Sequence, residues 1–323
     1  MGLFSYLCIL IASLMKDNNT NILNRIDGGC AVTVGMFDGV HMGHRHLLSL
    51  LKRVADEHNL TPVVVTFDRH PRMALGKGND MRLLMSHEKR IQTLEALGFE
   101  GHVEVIEFTP EAAQLTACQF AREYLCNRMG MKALVLGYDN MFGCKQHNDF
   151  DQLPLLAEQQ GFEIYHDSAV DLDGIVVSST KIRQAIQEGN VVLANKMLGQ
   201  PFCLKGVVEK GRQVGRQIGF PTANINTENS LCILPKDGVY AVKVILSTGE
   251  SLAMANIGPK PTFEENGSTL EVNIFSECGD LYGQEIEVMF LDRIRDIVRF
   301  ANAEELAMQL AADKQQILNT FAL

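Results

Sequence analysis

The chain has 323 residues, enough for two domains of ordinary size. With 46% hydrophobic and 21% charged residues its composition is globular, which excludes collagen-like and intrinsically disordered classes. The net charge of −10 divides evenly about residue 199, so neither half carries the basic face that a duplex nucleic-acid binder needs. Any phosphate must be held by loops, helix ends or a metal.

Eight cysteines (Cys8, Cys30, Cys118, Cys126, Cys144, Cys203, Cys232 and Cys278) include no C-x-x-C pair. They suggest neither a zinc site nor a disulfide framework, and a reducing cytoplasm fits best. The uncharged stretch Leu3 to Met15 resembles a short signal-peptide core but lacks a basic segment before it and is too short to span a bilayer. An upstream translation start or an apolar terminal helix packed on the body explains it better than a targeting role, and residues 1–18 are set apart as an N-terminal extension.

From Cys30 to about Phe162 short apolar runs alternate with helical periods. AVTVG (31–35), PVVVTF (62–67), ALVLG (133–137) and FEIYH (162–166) read as buried strands, and 44–58 and 110–129 as helices. This alternation predicts a parallel sheet covered on both faces, with ligands beyond the carboxyl ends of its strands. The loops after Gly35, Phe67 and Gly137 are where chemistry belongs. Helices over 180–188 and 191–198 follow, and the texture changes at Gly199-Gln200-Pro201. Five short strands are predicted at 202–208, 238–246, 251–257, 269–275 and 285–291, which suit a small antiparallel barrel or sandwich. A helix over 303–319 closes the chain.

The segment TVGMFDGVHMGHRHLL runs from a strand into an amphipathic helix, with His41 and His44 at its tip. Two imidazoles at a strand-to-helix turn can both face a phosphate at the helix N-terminus, where free N–H groups and the dipole favour an anion. Gly39 and Gly43 let the backbone approach. Fixed donors aimed at the α-phosphate of a nucleotide would stabilise the charge that gathers there during nucleotidyl transfer. Further on, Ser178-Ser179-Thr180 opens a helix with hydroxyls for its free amides, and Lys181 and Arg183 bring cations to the same place. Asp139, after a strand end, can accept from a ligand hydroxyl or hold magnesium through water.

In the second half GRQVGRQIGFPTAN (211–224) is rich in glycine and cations. Gly211, Gly215 and Gly219 allow a loop to wrap phosphates, and the Thr222 hydroxyl and Asn224 amide are hard oxygen ligands suited to a magnesium ion that keeps some of its waters. On the strand 269–275, Leu270, Val272 and Ile274 share one side and Glu271 and Asn273 the other.

GMFDGVHMGH resembles the nucleotidylyltransferase superfamily and, more specifically, the bacterial bifunctional riboflavin kinase/FAD synthetase family. The resemblance continues in order through VVTFDRHPRMAL, LGYDNMFG, VSSTKIRQAI, GRQVGRQIGFPTANI, GVYAVKV, NIGPKPTF, TLEVNIF and DLYGQEI, covering about residues 30–320. It implies a Rossmann-like nucleotidylyltransferase domain over 19–185, a linker helix over 186–200, and a β-barrel riboflavin kinase domain with a C-terminal helix over 201–323. The implied activities are phosphorylation of riboflavin to FMN in the barrel and transfer of AMP from ATP to FMN, giving FAD and pyrophosphate, in the first domain. ATP is the co-substrate, Mg2+ the metal, and FMN and FAD the products; neither nucleic acid nor membrane is a partner, and the oligomeric state is left open.

The resemblance also implies residue roles. Gly35, Phe37, Asp38, His41, His44, Ser178, Ser179, Thr180 and Arg183 would bind ATP in the first domain, with His41 and His44 catalytic. Asp139, Gly211, Gly215, Arg216, Gly219, Phe220, Pro221 and Arg295 would meet flavin or ATP, Thr222 and Asn224 the metal, and Glu271 would be the general base on the ribityl 5′-hydroxyl. Asn273, Met141, Arg69 and Pro259-Lys260 depart from the family's common residues. Two alternatives stand beside this reading: a riboflavin kinase whose N-terminal domain is degenerate, and a flavin-binding regulator.

Overall fold

A computed structural model describes residues 25–70, 81–109, 112–138, 142, 149–211, 215, 218–227, 230–246, 249–259 and 268–322. The expected roles of Asp139 and Arg216, and the apolar N-terminal stretch, lie outside these. The described residues form two compact units. The first comprises those up to Phe37 with Gly43–Met81 and Ile91–Val170, and the second comprises Asp38–Met42, Arg82–Arg90 and Asp171 onward.

In the first unit, strands β1 (Cys30–Val34), β2 (Thr61–Phe67), β3 (Val103–Ile106), β4 (Met131–Leu136) and β5 (Glu163–His166) form one parallel sheet in the order β3-β2-β1-β4-β5. Val32, Val34, Val63, Val65 and Leu134 are fully buried, as expected of strands covered on both faces. Helix α1 (Met42–His58) follows β1, and α2 (His87–Leu94) continues as a π-type turn to Phe99. The single helix expected over 110–129 is not what forms. Ala112–Gln114 makes a short 3-10 turn, and helix α3 begins only at Ala117, widening to π geometry over Ala121–Met129. Thr116 stops the run: its backbone is extended and its hydroxyl accepts the Gln119 N–H while Gln119 reaches back, a reciprocal cap that fixes a helix start. Helix α4 (Leu153–Gln160) leads to β5, ended by Gly161 in the left-handed region.

The second unit contains the short hairpin β6 (Asp171–Leu172) and β7 (Ile175–Val176), helices α5 (Ser179–Gln187) and α6 (Val191–Leu198), and a barrel. The barrel strands are β8 (Phe202–Glu209), β9 (Ala223–Asn226), β10 (Gly238–Leu246), β11 (Gly249–Pro259), β12 (Ser268–Ile274) and β13 (Glu285–Arg295), closed in the order β10-β11-β12-β9-β8-β13. Strand β9 escapes the sequence reading: it has four residues, Ala-Asn-Ile-Asn, too few for an alternation to register. It is nevertheless the strand that closes the cylinder between β12 and β8. Along β13, Ile286, Val288 and Phe290 are buried and Glu285, Glu287 and Met289 are not, as the alternation predicts. Inside, Phe290 packs its ring against Phe202 and Tyr240. On the opposite faces of their strands Val239, Ala241 and Met254 form a second layer with Ile317 of the terminal helix α7 (Ala303–Phe321).

Candidate functional site

In the first unit β1 is central, and the chain reaches β2 and β3 on one side before crossing to β4 and β5 on the other. The carboxyl ends of β1 and β4 therefore form the topological switch point, where open α/β sheets bind ligands. The Gly35 N–H donates to the Val65 carbonyl at 3.0 Å, and Thr66 Oγ1 donates to the Met36 carbonyl at 3.4 Å, which anchors the start of the loop after β1. Phe37 is buried with φ +50, and the His44 ring meets its ring edge-on at 5.2 Å between centroids.

Asp38 to Met42 belong to the second unit. Gly39 and Val40 also hold positive φ, +82 and +40, and for a β-branched valine this is a strained backbone of the kind found at binding loops. A Cβ at Gly39 would press on Leu84 and Leu198 as well. Asp38 is buried; its two carboxylate oxygens accept the Leu84 N–H at 3.0 and 3.2 Å, and the Arg183 guanidinium pairs with it through Nη2. Burial pushes the Asp38 carboxyl above its usual range, while Arg183 and the Leu84 N–H pull it back. Arg183 Nε donates to the Arg82 carbonyl at 2.8 Å. Ser178 caps α5 by accepting the Lys181 N–H, Ser179 Oγ donates to the Asp38 carbonyl at 3.1 Å, and Thr180 is exposed. His41 is buried, and burial with the nearby Arg183 charge pushes its pKa down to about 4, so its imidazole is neutral near pH 7. A neutral imidazole can donate one hydrogen bond to a phosphate oxygen and accept another elsewhere. Of the expected nucleotide residues, Gly35, Phe37 and His44 thus fall in the first unit. Asp38, His41, Ser178, Ser179, Thr180 and Arg183 fall in the second, where Asp38 is bonded to both Arg183 and Ser179.

On the barrel, register puts Asn224, expected to meet the metal, and Glu271, expected as the base, on one rung. Asn224 of β9 stands directly opposite Glu271 of β12, which stands opposite Asn256 of β11, while Glu209 of β8 faces Asn224 from the other side. Residues directly opposite in an antiparallel pair project to the same face, about 4.5 to 5.5 Å apart at Cβ. Glu271 is half-buried and, among the described residues, engaged in no hydrogen bond or ion pair. Gly211 lies so close to the Asn224 amide that any Cβ there would collide with it. Gly215 accepts the N–H groups of Ile218 and Phe220 at 3.2 and 2.8 Å, a tight turn that returns the chain to Pro221. Asn273 Nδ2 then donates to the Pro221 carbonyl at 2.7 Å, fixing the entry to Thr222 and Asn224. Asn273, marked in the sequence only as a departure, is therefore a buried tether. Asn256 went unassigned, although it opens the NIGPKPTF segment.

Arg295, expected in the flavin site, is held by the buried Asp313 of α7, with Nε at 2.9 Å and Nη2 at 2.8 Å, and lies over the Phe300 ring. A cavity of about 570 Å³ also opens on the barrel wall, lined among others by Lys89, Cys203, Lys205, Asn226 and Glu287. Glu271, Thr222 and Asn224 are not among its lining residues.

A strained loop at a parallel-sheet switch point, and a barrel strand that sets Asn224 opposite Glu271, are the features of a two-domain chain whose class the comparisons give. The FAD synthetase family model matches residues 23–181 and the riboflavin kinase model residues 198–321. Bifunctional riboflavin kinase/FMN adenylyltransferase from Haemophilus influenzae is 38% identical over 90% of this chain and 94% of its own, and that from Escherichia coli 36% identical over 91% and 94%. The chain belongs to the bifunctional riboflavin kinase/FMN adenylyltransferase family. A crystal structure described as a macrolide-efflux protein from Streptococcus pneumoniae has the same architecture, with a TM-score of 0.81 at 34% identity, covering 94% of this chain and 96% of that one. Among the described residues no helix is long and apolar enough to cross a membrane.

Proposed function

We propose that the chain makes FMN from riboflavin and ATP on its barrel, and FAD and pyrophosphate from FMN and ATP at the loop after β1. The observation that carries the reading is the rung Asn224–Glu271, a hard-oxygen donor and a carboxylate presented on one face beside a loop that glycine keeps open.

Glu271 takes the proton from the ribityl 5′-hydroxyl as that oxygen attacks the γ-phosphate, and Gly211, Gly215 and Gly219 let the loop lie close to the phosphates. The Thr222 hydroxyl and Asn224 carbonyl are neutral oxygens, a donor set that suits Mg2+ already carried by ATP phosphates; bound there, the ion would offset charge on those phosphates. Asn273 keeps Pro221 and the residues after it in place.

At the other site AMP transfer is an in-line displacement at the α-phosphate, helped by donors fixed where negative charge gathers. His41 and His44 are those donors, with the N-terminus of α1 and Arg183 adding positive field. Because His41 is neutral, it stabilises the phosphorane-like charge through a hydrogen bond and keeps its proton throughout. The substrates of the reading, riboflavin, FMN and ATP, support a cytoplasmic location.

The test is incubation of purified protein with riboflavin, ATP and magnesium, followed by chromatographic separation of riboflavin, FMN and FAD. Both products are expected; FMN without FAD would leave only the kinase reading.

A further inference from the structure

We propose that Asp38 is a positioning residue for adenylyl transfer: its buried carboxylate orients the Arg183 guanidinium beside His41 and does not itself meet the nucleotide. The inference rests on the reading of this loop as the ATP site of FAD formation, and goes beyond it by removing one residue from the set that touches ATP.

The Asp38 carboxylate is engaged by protein groups rather than open to a ligand. It is 2% exposed, its two oxygens accept the Leu84 N–H, and one of them also takes Arg183. A carboxylate facing the phosphates would in any case repel them. Arg183 is oriented from two sides, by Asp38 at Nη2 and by the Arg82 carbonyl at Nε. Its guanidinium plane is thereby fixed, and among the described residues Nη1 is left to meet an anion. The backbone of Asp38 is held as well, since its carbonyl accepts from Ser179 at the first turn of α5. One residue thus joins three chain segments, 38–42, 82–84 and 179–183, all in the second unit. The charge on Arg183 reaches His41 and helps to keep that ring neutral. Asp38 therefore sets both the direction of a cation and the state of a donor without contributing a contact of its own.

A double-mutant cycle on FAD formation separates acting through Arg183 from acting on ATP. Asp38→Asn retains the shape and an acceptor for Leu84, and Arg183→Gln removes the cation; each should raise KM for ATP about tenfold, the scale of one charge-assisted hydrogen bond. The double variant should be no worse than either single, because both changes disable the same group. Multiplying losses, or an unaltered KM in Asp38→Asn, would overturn the proposal. FMN formation by the same preparation reports folding. If Asp38→Asn does not fold, Arg183→Lys decides: it keeps the charge but loses the fork that Asp38 and Arg82 hold, so a wild-type KM there overturns the proposal too. Wild-type protein that makes FMN but no FAD would bring down the reading of the loop together with the proposal. The other adverse outcomes leave that reading intact.

Discussion

Glu271 and His44 stand in separate units, which lets each activity be removed alone. Glu271→Gln keeps the strand pairing and removes the base, so FMN formation should fall at least about 100-fold while FAD formation from added FMN persists. Quantifying both products by chromatography checks this, and wild-type FMN output would dismiss Glu271 as the base. His44→Ala should have the mirror effect, cutting FAD formation about 100-fold or more with FMN formation retained. His41 makes a pH prediction. Its unfolded pKa lies near 6.5 and its folded one near 4, so between these values the unfolded chain binds more protons and stability falls as pH drops through that window. The full penalty, reached below pH 4, is roughly 3 kcal/mol. Urea midpoints at neutral pH and near pH 4 should therefore diverge more for wild type than for His41→Gln, and equal shifts would refute the burial argument.

Strands and loops decide what the sequence could reveal. The parallel strands, the barrel alternation in β13 and the helices α5 to α7 were legible because each repeats a period over several turns or rungs. Strand β9 was not, since the sequence pattern there points to a loop; in the barrel Ala223–Asn226 is a strand, and that is what sets Asn224 opposite Glu271. The start of α3 was misplaced because a helical apolar pattern extends back past Thr116, and only the reciprocal cap ends it. The motif residues were visible as a group, but their division between nucleotide contacts and internal pairs such as Asp38–Arg183 and Arg295–Asp313 was not, because pairing depends on segments far apart in sequence. Two changes probe the β9 loop. Gly211→Ala forces the Asn224 amide aside and should reduce FMN formation sharply while shifting the melting temperature little. Asn273→Ala removes the tether to Pro221, which costs about 1 kcal/mol of stability, and should raise the KM for ATP in the kinase reaction.

At the scale of the whole chain, the barrel unit is built from pieces that are not neighbours in sequence. Leu83 donates to the Leu231 carbonyl and accepts the Ile233 N–H, and Lys89 Nζ pairs with Glu287 at 2.7 Å. A fragment of about residues 200–323 keeps Thr222, Asn224 and Glu271 and should phosphorylate riboflavin. It lacks Leu83, Lys89 and helix α6, whose Asn195 amide donates to the Phe290 carbonyl at 2.8 Å. We expect it to lose kinase activity at a temperature well below that of the intact chain, and a fragment beginning near residue 171 to recover part of the difference. Equal thermal inactivation of all three would show that these contacts add nothing.

The same interleaving sets a timetable for synthesis. Lys89 leaves the ribosome 198 residues before the glutamate it pairs with. At about 5 to 20 residues per second, that is a wait of about 10 to 40 seconds. During it, the segment 82–90 is already translated while the barrel it docks on is still incomplete. The N-terminal half therefore cannot bring all of its residues to their final places while the barrel is still being made, and the last step in maturing this chain is the capture of an early segment by a late one.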